Sequence, residues 1–438
     1  MGVNLPANTV VIADHTRGPE RITVAEYRNM AGRAGRWMGD IEFGTSYLIA
    51  ANEADVEDLW QSFVTAESEP LVSQLAKRSP DDVALVLMVI RPGAITAREL
   101  TARATSTFGG FQRHGDDAAR RGAGEALERA LLHLVELGLA RVVPAAEGRQ
   151  GPDRFELTPY GLVCGREGLR AESAARVLRG AEAIHDAGEP LNEIALIALA
   201  QVTCELDELY TPVEDTRRQE GQDELAAWHE QSQLTLGAQP AILTVLRTSA
   251  DHDGRYLQRL KRLNAISMWV RGRPWDEIED AFTLHVPEWK KANPEPASGA
   301  VRQAGERTAD VLRAVGRLVA LRFPDLADEI RERVVAMLPR LEHGVVREAA
   351  ALMRLGWGIR RSDALRLIAE GIASPEALVD ALERDDQALY PILTSEGVYR
   401  MRAMAGRRAR QGSPRDAVEQ RAATVRALFD RIGDATAL

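Results

Sequence analysis

Arg33 and Arg36 stand three residues apart in the run Tyr27-Arg28-Asn29-Met30-Ala31-Gly32-Arg33-Ala34-Gly35-Arg36, separated only by alanine and glycine. A guanidinium group carries a permanent charge and a planar fork that meets phosphate oxygens bidentately. Two such groups at the end of a short helix, with bulk kept away by small neighbours, suit contact with a polyphosphate held by a facing domain. The same residues also describe a solvated basic helix end with glycine caps. Taken alone, the run leaves both readings open.

The elements that must hold these arginines are marked in the flanking sequence. Thr23-Val24-Ala25-Glu26 has the form of a capping box, with Thr23 as N-cap and Glu26 reaching back. Upstream, Thr9-Val10-Val11-Ile12-Ala13 is a short apolar, β-branched run that predicts a buried strand, and Tyr47–Ala50 predicts a second. A doubly wound domain needs several strands covered on both faces. Two parallel strands and one helix cannot bury themselves. Residues 1 to about 55 are therefore expected to be completed by another polypeptide or by upstream residues, or else to be loosely ordered.

Together, Gly2-Val3-Asn4-Leu5-Pro6-Ala7 and the arginine run resemble motifs V and VI of superfamily 2 helicases. The likeness is to the DNA-repair helicases that include the archaeal repair helicase and the helicase portion of DNA polymerase theta. In them the motor is followed by winged-helix, ratchet and helix-hairpin-helix domains. The resemblance implies that Arg33 and Arg36 are the catalytic arginine fingers. It further implies that Gly2, Asn29, Gly32, Arg33 and Arg36 surround the nucleotide, and that Asn4 lies near the nucleic-acid strand. Asn29 stands where the family has a glutamine, a longer amide.

The chain begins at Met1 inside motif V, so the earlier parts of such a motor are expected to be missing. No G-x-x-x-x-G-K-[ST] occurs, and no D-E-x-H follows an apolar strand. Asp207-Glu208-Leu209-Tyr210 and Asp276-Glu277-Ile278-Glu279 match loosely, but both sit in helical patterns and read as solvated acidic faces. Phosphoryl transfer needs a loop and Mg²⁺ to hold the β- and γ-phosphates before arginine fingers act. This chain alone is therefore not expected to hydrolyse ATP. ATP and Mg²⁺ would be used only with a partner carrying the ATP-binding half.

Bulk properties narrow the classes further. With 438 residues, the chain has room for two to four domains. No secretory leader is expected from its first residues, and no apolar run reaches membrane-spanning length, so no membrane association is expected and a cytoplasmic location is. Cys164 and Cys204 sit in apolar contexts, which excludes a disulfide framework, and no histidine has metal-ligand spacing beside a cysteine, so no metal is expected. The net charge of −10 argues against a uniformly basic nucleic-acid binder and leaves room for a local basic groove on an acidic body.

The expected fold class is mainly α and multidomain. A partial RecA-like remnant (1–55) is followed by a helical connector (56–79) ending at Ser79-Pro80. Residues 80–167 read as a winged helix: helices over Val83–Ile90, Ala97–Thr107 and Glu125–Leu137, a Gly/Arg/Asp-rich insertion at Gly109–Gly124, and a hairpin of Ala140–Val143 with Arg154–Leu157. Its third helix is apolar and weakly charged, which favours bracing the motor over reading bases. Residues 168–340 read as a helical bundle, with Thr211–Gln239 as polar surface helices and loops.

Within it, Ala300–Leu321 occupies the place of the family's ratchet helix, with Arg302 as the expected strand contact. No aromatic lies between Trp289 and Phe323, so the family's stacking residue is missing. Residues 341–395 resemble a helix-hairpin-helix, in which Gly356 and Gly358 would bring backbone amides to a phosphate and Arg360 and Arg361 would add charge. A plain helical hairpin with glycine caps is the alternative. The last stretch, 396–438, opens on an arginine-rich run, Arg400–Arg415, with six arginines (Arg400, Arg402, Arg407, Arg408, Arg410, Arg415) and no acid, and ends in an amphipathic helix, Asp416–Ile432.

The resemblance implies the C-terminal part of an ATP-dependent DNA helicase moving 3′ to 5′ in repair of stalled forks. Its partners would be single-stranded or forked DNA and a protein carrying the N-terminal half. A non-catalytic DNA-binding or assembly subunit with a helicase remnant as docking surface is the alternative, and an inactive relic a third.

Overall fold

The computed structural model describes residues 7–17, 20–35, 44–113, 117–143, 152–236, 239–282, 298–354, 359–384, 389 and 392–393. The fold is mainly helical, with few strands, and has two compact units. The first comprises Met1–Lys77 with Thr107–Gly115, and the second Arg78–Ser106 with Asp116–Leu438. No helix among the described residues is long and apolar enough to cross a membrane.

In the first unit, β1 (Thr9–Ile12) is followed by the hairpin β2 (Thr16–Arg17) and β3 (Glu20–Arg21), then α1 (Val24–Ala31) and β4 (Thr45–Leu48). Strands β1 and β4 pair in parallel, with Val11 opposite Tyr47 and Ile12 opposite Leu48. The two strands and the helix between them match the sequence expectation; the hairpin is an addition to it. Helix α2 (Glu53–Leu59) runs into a π turn, Trp60–Val64.

Ile22, Leu59 and Phe63 form a small core, and Tyr27, Met30 and Leu48 pack against it. Strand side chains alternate between faces. Leu48 therefore turns to that core, while Val11 (58% exposed), Tyr47 (55%) and Ile49 (47%) stay open on the opposite face.

The second unit starts with α3 (Pro80–Ile90), β5 (Ile95–Thr96), α4 (Ala97–Thr105), α5 (Asp117–Glu136), β6 (Ala140–Val143) and β7 (Arg154–Leu157). The strands make an antiparallel sheet of order β5-β7-β6. Ser79 and Thr96 cap α3 and α4, the latter through a capping box with Glu99. The Gly109–Gly124 stretch, expected to be an insertion, is largely helical. Phe108–Arg113 is a short helix of the first unit, and α5 already begins at Asp117. Glycines weaken an isolated helix, but packing of its apolar face supplies most of a helix's stability. Here Leu127, Ala130, Leu131 and Leu134 of α5 are buried.

The bundle follows: α6 (Pro159–Glu167), α7 (Ala171–Asp186), α8 (Glu193–Gln201), α9 (Cys204–Asp207), α10 (Gln219–Leu236), α11 (Pro240–Thr248), α12 (Asp253–Val270), α13 (Trp275–Phe282), α14 (Ser298–Arg322) and α15 (Ala327–His343). Helix α8 is apolar on all sides and lies in the core, as Ala195–Ala200 are fully or almost fully buried. Three short helices, α16 (Ala350–Met353), α17 (Arg361–Ala369) and α18 (Pro375–Glu383), share a separate cluster that includes Val345, Leu352, Ala364, Leu367, Leu378 and Leu382. Residues 394–438, with the arginine-rich run and the expected last helix, lie outside the described residues.

Two carboxylates that look solvated in sequence, Asp207 and Glu224, are internal. Asp207 is not part of a solvated acidic face: its side chain is 11% exposed and sits among arginines. Helix α10 is a surface helix as its polarity predicts, with Gln222, Asp223 and Gln233 exposed, but its inner face buries Trp228 and Glu224, and Glu224 bonds Lys261 at 2.6 Å inside the bundle. In both places a buried counter-ion satisfies a charge that composition alone assigns to solvent.

Candidate functional site

The capping box stands as the sequence predicts. The Glu26 amide donates to Thr23 Oγ1 at 3.1 Å, and the Thr23 amide donates to Glu26 Oε2 at 2.9 Å. A second carboxylate meets the same helix end, where Glu69 accepts from the amides of Val24 (2.7 Å) and Ala25 (3.0 Å). These bonds hold the Glu69 carboxyl below its usual range. They also fix α1 to the segment that follows the π turn.

At the other end of α1, Gly32 is the C-cap, and the amides of Gly32 and Arg33 donate to Arg28 and Met30 carbonyls. Gly35 adopts a φ of 66°, a left-handed conformation natural to glycine. There its amide donates to the Ala7 carbonyl at 2.8 Å, and Ala34 bridges Ala7. Gly44 closes on the same turn from the start of β4: a Cβ at Gly44 would lie 2.1 Å from the Gly35 nitrogen. The arginine turn is thus clamped between the two strands' leading ends.

The side chains of Asn29 and Arg33 are exposed. Arg33 therefore presents its guanidinium to solvent from a backbone fixed on both sides. Gly2, Asn4 and Arg36 lie outside the described residues. The fit to a polyphosphate rests on Arg33, a donor-only group that contacts phosphate without holding metal. Among the described residues no group of three or more His, Cys, Asp or Glu could hold a metal ion.

On α14, Arg302, Arg307, Arg313 and Arg317 are exposed along one side. Arg302 pairs with Glu306 at 3.0 Å and Arg307 with Asp310 at 3.4 Å, while Arg317 bonds Glu167. Exposed pairs of this kind contribute about 0–1 kcal/mol, so a phosphate can replace the carboxylate at little cost.

Arg360 and Arg361 are neighbours in sequence but differ in environment. Arg360 is exposed at the N-cap of α17, its amide donating to Asp363 Oδ2 at 3.0 Å. Arg361 is half-buried: its guanidinium lies 4.8 Å from the Trp269 ring centroid and 5.2 Å from that of Trp275. It donates to the Gly344 carbonyl at 2.6 Å and to the Arg273 carbonyl, and burial lowers its pKa to about 10. Arg361 is thus committed to joining α17 to α12 and α13. Gly356 and Gly358 lie outside the described residues.

Sequence reasoning missed a cluster at the centre of the bundle. Asp207 receives two bonds from Arg259, at 3.0 and 2.8 Å, and one from Arg176 at 3.0 Å. Arg262 lies 3.7 Å away and donates to Gln201 and Thr211. Burial pushes the Arg262 guanidinium down, and the Asp207 carboxylate opposes that shift. One carboxylate thus draws together arginines from α7 and α12. The sequence signal for it was an Arg-x-x-Arg pair, Arg259 and Arg262, inside the leucine-rich run.

No family model matches the chain. It is similar to three proteins named ATP-dependent DNA helicase Hel308. With the one from Caldivirga maquilingensis it is 24% identical over 388 residues, covering 87% of this chain and 47% of that protein. With the one from Pyrobaculum calidifontis it is 43% identical over 79 residues, 17% of this chain and 11% of that protein. With the one from Methanocella arvoryzae it is 33% identical over 117 residues, 26% of this chain and 16% of that protein. The chain therefore spans about half the length of the first of these relatives, and the other two matches cover much less.

Proposed function

We propose that this chain is the C-terminal part of an ATP-dependent DNA helicase, working with an ATP-binding half carried outside these residues. The likeness to a DNA helicase along 87% of the chain carries this reading. The geometry of the arginine turn supports it: the Gly35–Ala7 bond ties the two stretches that resemble motifs V and VI into one rigid corner. Arg33 and Arg36 would reach the ATP phosphates, with Gly2, Asn29 and Gly32 around them and Asn4 near the strand. Preorganised cations of this kind stabilise developing charge on a transferring phosphoryl group. Magnesium would be held by the other half.

In this reading residues 1–55 are the partial motor domain and 56–79 the connector. The three helices and the β5-β7-β6 sheet within 80–167 are a winged helix that braces the motor. Residues 168–340 are the ratchet bundle, with Arg302 on the strand. Residues 341–395 are the helix-hairpin-helix, with Gly356, Gly358 and Arg360 meeting phosphates and Arg361 positioning α17. Movement from 3′ to 5′ on single-stranded or forked DNA follows from the family likeness.

The test is ATP hydrolysis, with and without single-stranded DNA, by the chain alone and mixed with the ATP-binding half of a relative. Hydrolysis only in the mixture, lost in Arg33→Ala and Arg36→Ala, supports the reading. No hydrolysis in the mixture, with DNA binding intact, overturns it. The outcome would then favour a non-catalytic DNA-binding or assembly subunit. The observation behind that second reading is the open sheet face of Val11, Tyr47 and Ile49, an apolar surface suited to docking.

A further inference from the structure

Helix α15 has two unlike faces. Ile330, Val334, Met337 and Leu341 are buried in the bundle, and on the same side Arg333 donates to the Leu191 carbonyl while Arg340 pairs with Glu193 at 2.7 Å. The other face lines a hollow of about 520 Å³ shared with α16 and the turn before it. Its apolar lining includes Val335, which is 65% exposed, with Pro339 and Ala350. Arg331, Arg347 and Arg354 also line it, against one acid, Glu332.

A second hollow, of about 260 Å³, adjoins the first and shares Arg331 with it. Arg317 and Leu321 of α14 line this part. The two hollows therefore make one track, with apolar side chains between arginines. From Arg331 to Pro339 it follows α15 for about 12 Å, at 1.5 Å per residue.

Charge separates this track from the rest of the surface. The chain as a whole carries −10, yet the track presents four arginines and one acid. Arg317 and Arg331 bond exposed or half-buried carboxylates, Glu167 and Asp328. Arg347 and Arg354 are exposed and have no ion pair among the described residues. Pro339 adds a further polar group: having no amide hydrogen, it leaves the Val335 carbonyl without its usual helical donor. The track thus combines fixed cations, an apolar lining and a backbone acceptor.

We propose that this track binds a segment of single-stranded nucleic acid, with phosphates on Arg347, Arg354 and Arg331 and base faces against Val335 and Pro339. This inference rests on the DNA-guiding function proposed above and adds a strand path separate from Arg302. A repeating polyanion whose flat base faces are apolar matches arginines interspersed with aliphatic surface. An acidic peptide shares the charge but has no base faces for the lining.

The experiment is an anisotropy titration of the full chain with a fluorescent oligodeoxythymidylate over a series of salt concentrations. Arg347→Gln with Arg354→Gln is expected to weaken binding about tenfold, and the slope of log K against log salt to fall by about 0.7 for each phosphate no longer neutralised. The control, Arg217→Gln with Arg218→Gln, makes the same change in net charge on an exposed loop and is expected to leave both unchanged. Val335→Asn is expected to weaken binding too, with no change in charge. Wild-type binding that the track variants leave intact overturns the track and spares the proposed function. Absence of wild-type binding overturns both. Polyglutamate that competes through the same arginines while Val335→Asn has no effect on oligonucleotide binding assigns the track to an acidic peptide and overturns the proposal.

Discussion

The amide of Gly35 donates to the carbonyl of Ala7 at 2.8 Å, joining the arginine turn to the entry of β1. The bond needs Gly35 in the left-handed region and needs Gly44 without a side chain. It makes the direction in which Arg33 leaves the backbone a property of the sheet as well as of α1.

Replacing either glycine should loosen this corner. Gly35→Ala forces a Cβ into the left-handed region at about 1–2 kcal/mol. Gly44→Ala places a Cβ 2.1 Å from a backbone nitrogen that cannot rotate away, so it should be the more damaging change. Hydrogen exchange at the amides of Thr45 and Gly35 should accelerate in both variants, while the amides of α8 keep their protection. Unchanged exchange would show that the clamp does not hold the turn.

Asp207→Ala should be among the most destabilising single changes in the bundle. It leaves Arg259, fully buried, without its carboxylate and Arg176 with Glu172 alone, and breaking a buried pair from one side costs about 3–5 kcal/mol. The urea midpoint should fall accordingly. A double change, Asp207→Leu with Arg259→Met, removes both charges and should recover part of the loss.

Arg361 and Arg360 should separate stability from binding. Arg361→Ala removes a guanidinium from two indole rings and two carbonyls, a desolvated arrangement in which the cation–π part alone is about 2 kcal/mol. It should lower the melting temperature and shift tryptophan fluorescence. Arg360→Ala should leave melting unchanged and weaken DNA binding. Equal effects of the two on melting would show that Arg360 is structural as well.

Acid should release α1 from the segment beyond the π turn. The Glu69 carboxyl is held below its ordinary value of 4.5, first by the bond from the Val24 amide. A carboxyl with a depressed folded value stabilises the fold above its unfolded value, and the effect is lost as pH falls through the folded value. Wild type should therefore keep protection of the Val24 and Ala25 amides at the ordinary value of 4.5 and lose it only as pH falls further, through the depressed value. Glu69→Gln should show weaker protection that no longer varies with pH in that range. Identical acid profiles would remove Glu69 from this role.

Much of the architecture was legible because it depends on neighbours in the chain. The capping box at Thr23 and Glu26, the strands around Val11 and Tyr47, and the helix and strand order between Pro80 and Leu157 follow from side-chain spacing within one element. Burial of the first strand was not legible: its apolar run predicts a buried strand, yet Val11 is exposed because two strands and one helix leave a side uncovered.

Sequence by itself determined most of the helices and strands and where arginines gather, because capping, periodicity and turn chemistry act over a few residues. The β2–β3 hairpin and the helices within Gly109–Gly124 formed without such a local signal. Tertiary structure alone decided which charges face water. Asp207 read as solvated until α7 and α12 closed over it, and Arg361 became a packing group only because Trp269 and Trp275 lie beside it. The track along α15 likewise exists only where α14, α15 and α16 meet. Burial and ion pairing depend on residues far away along the chain, and local pattern carries no record of which distant partner will arrive.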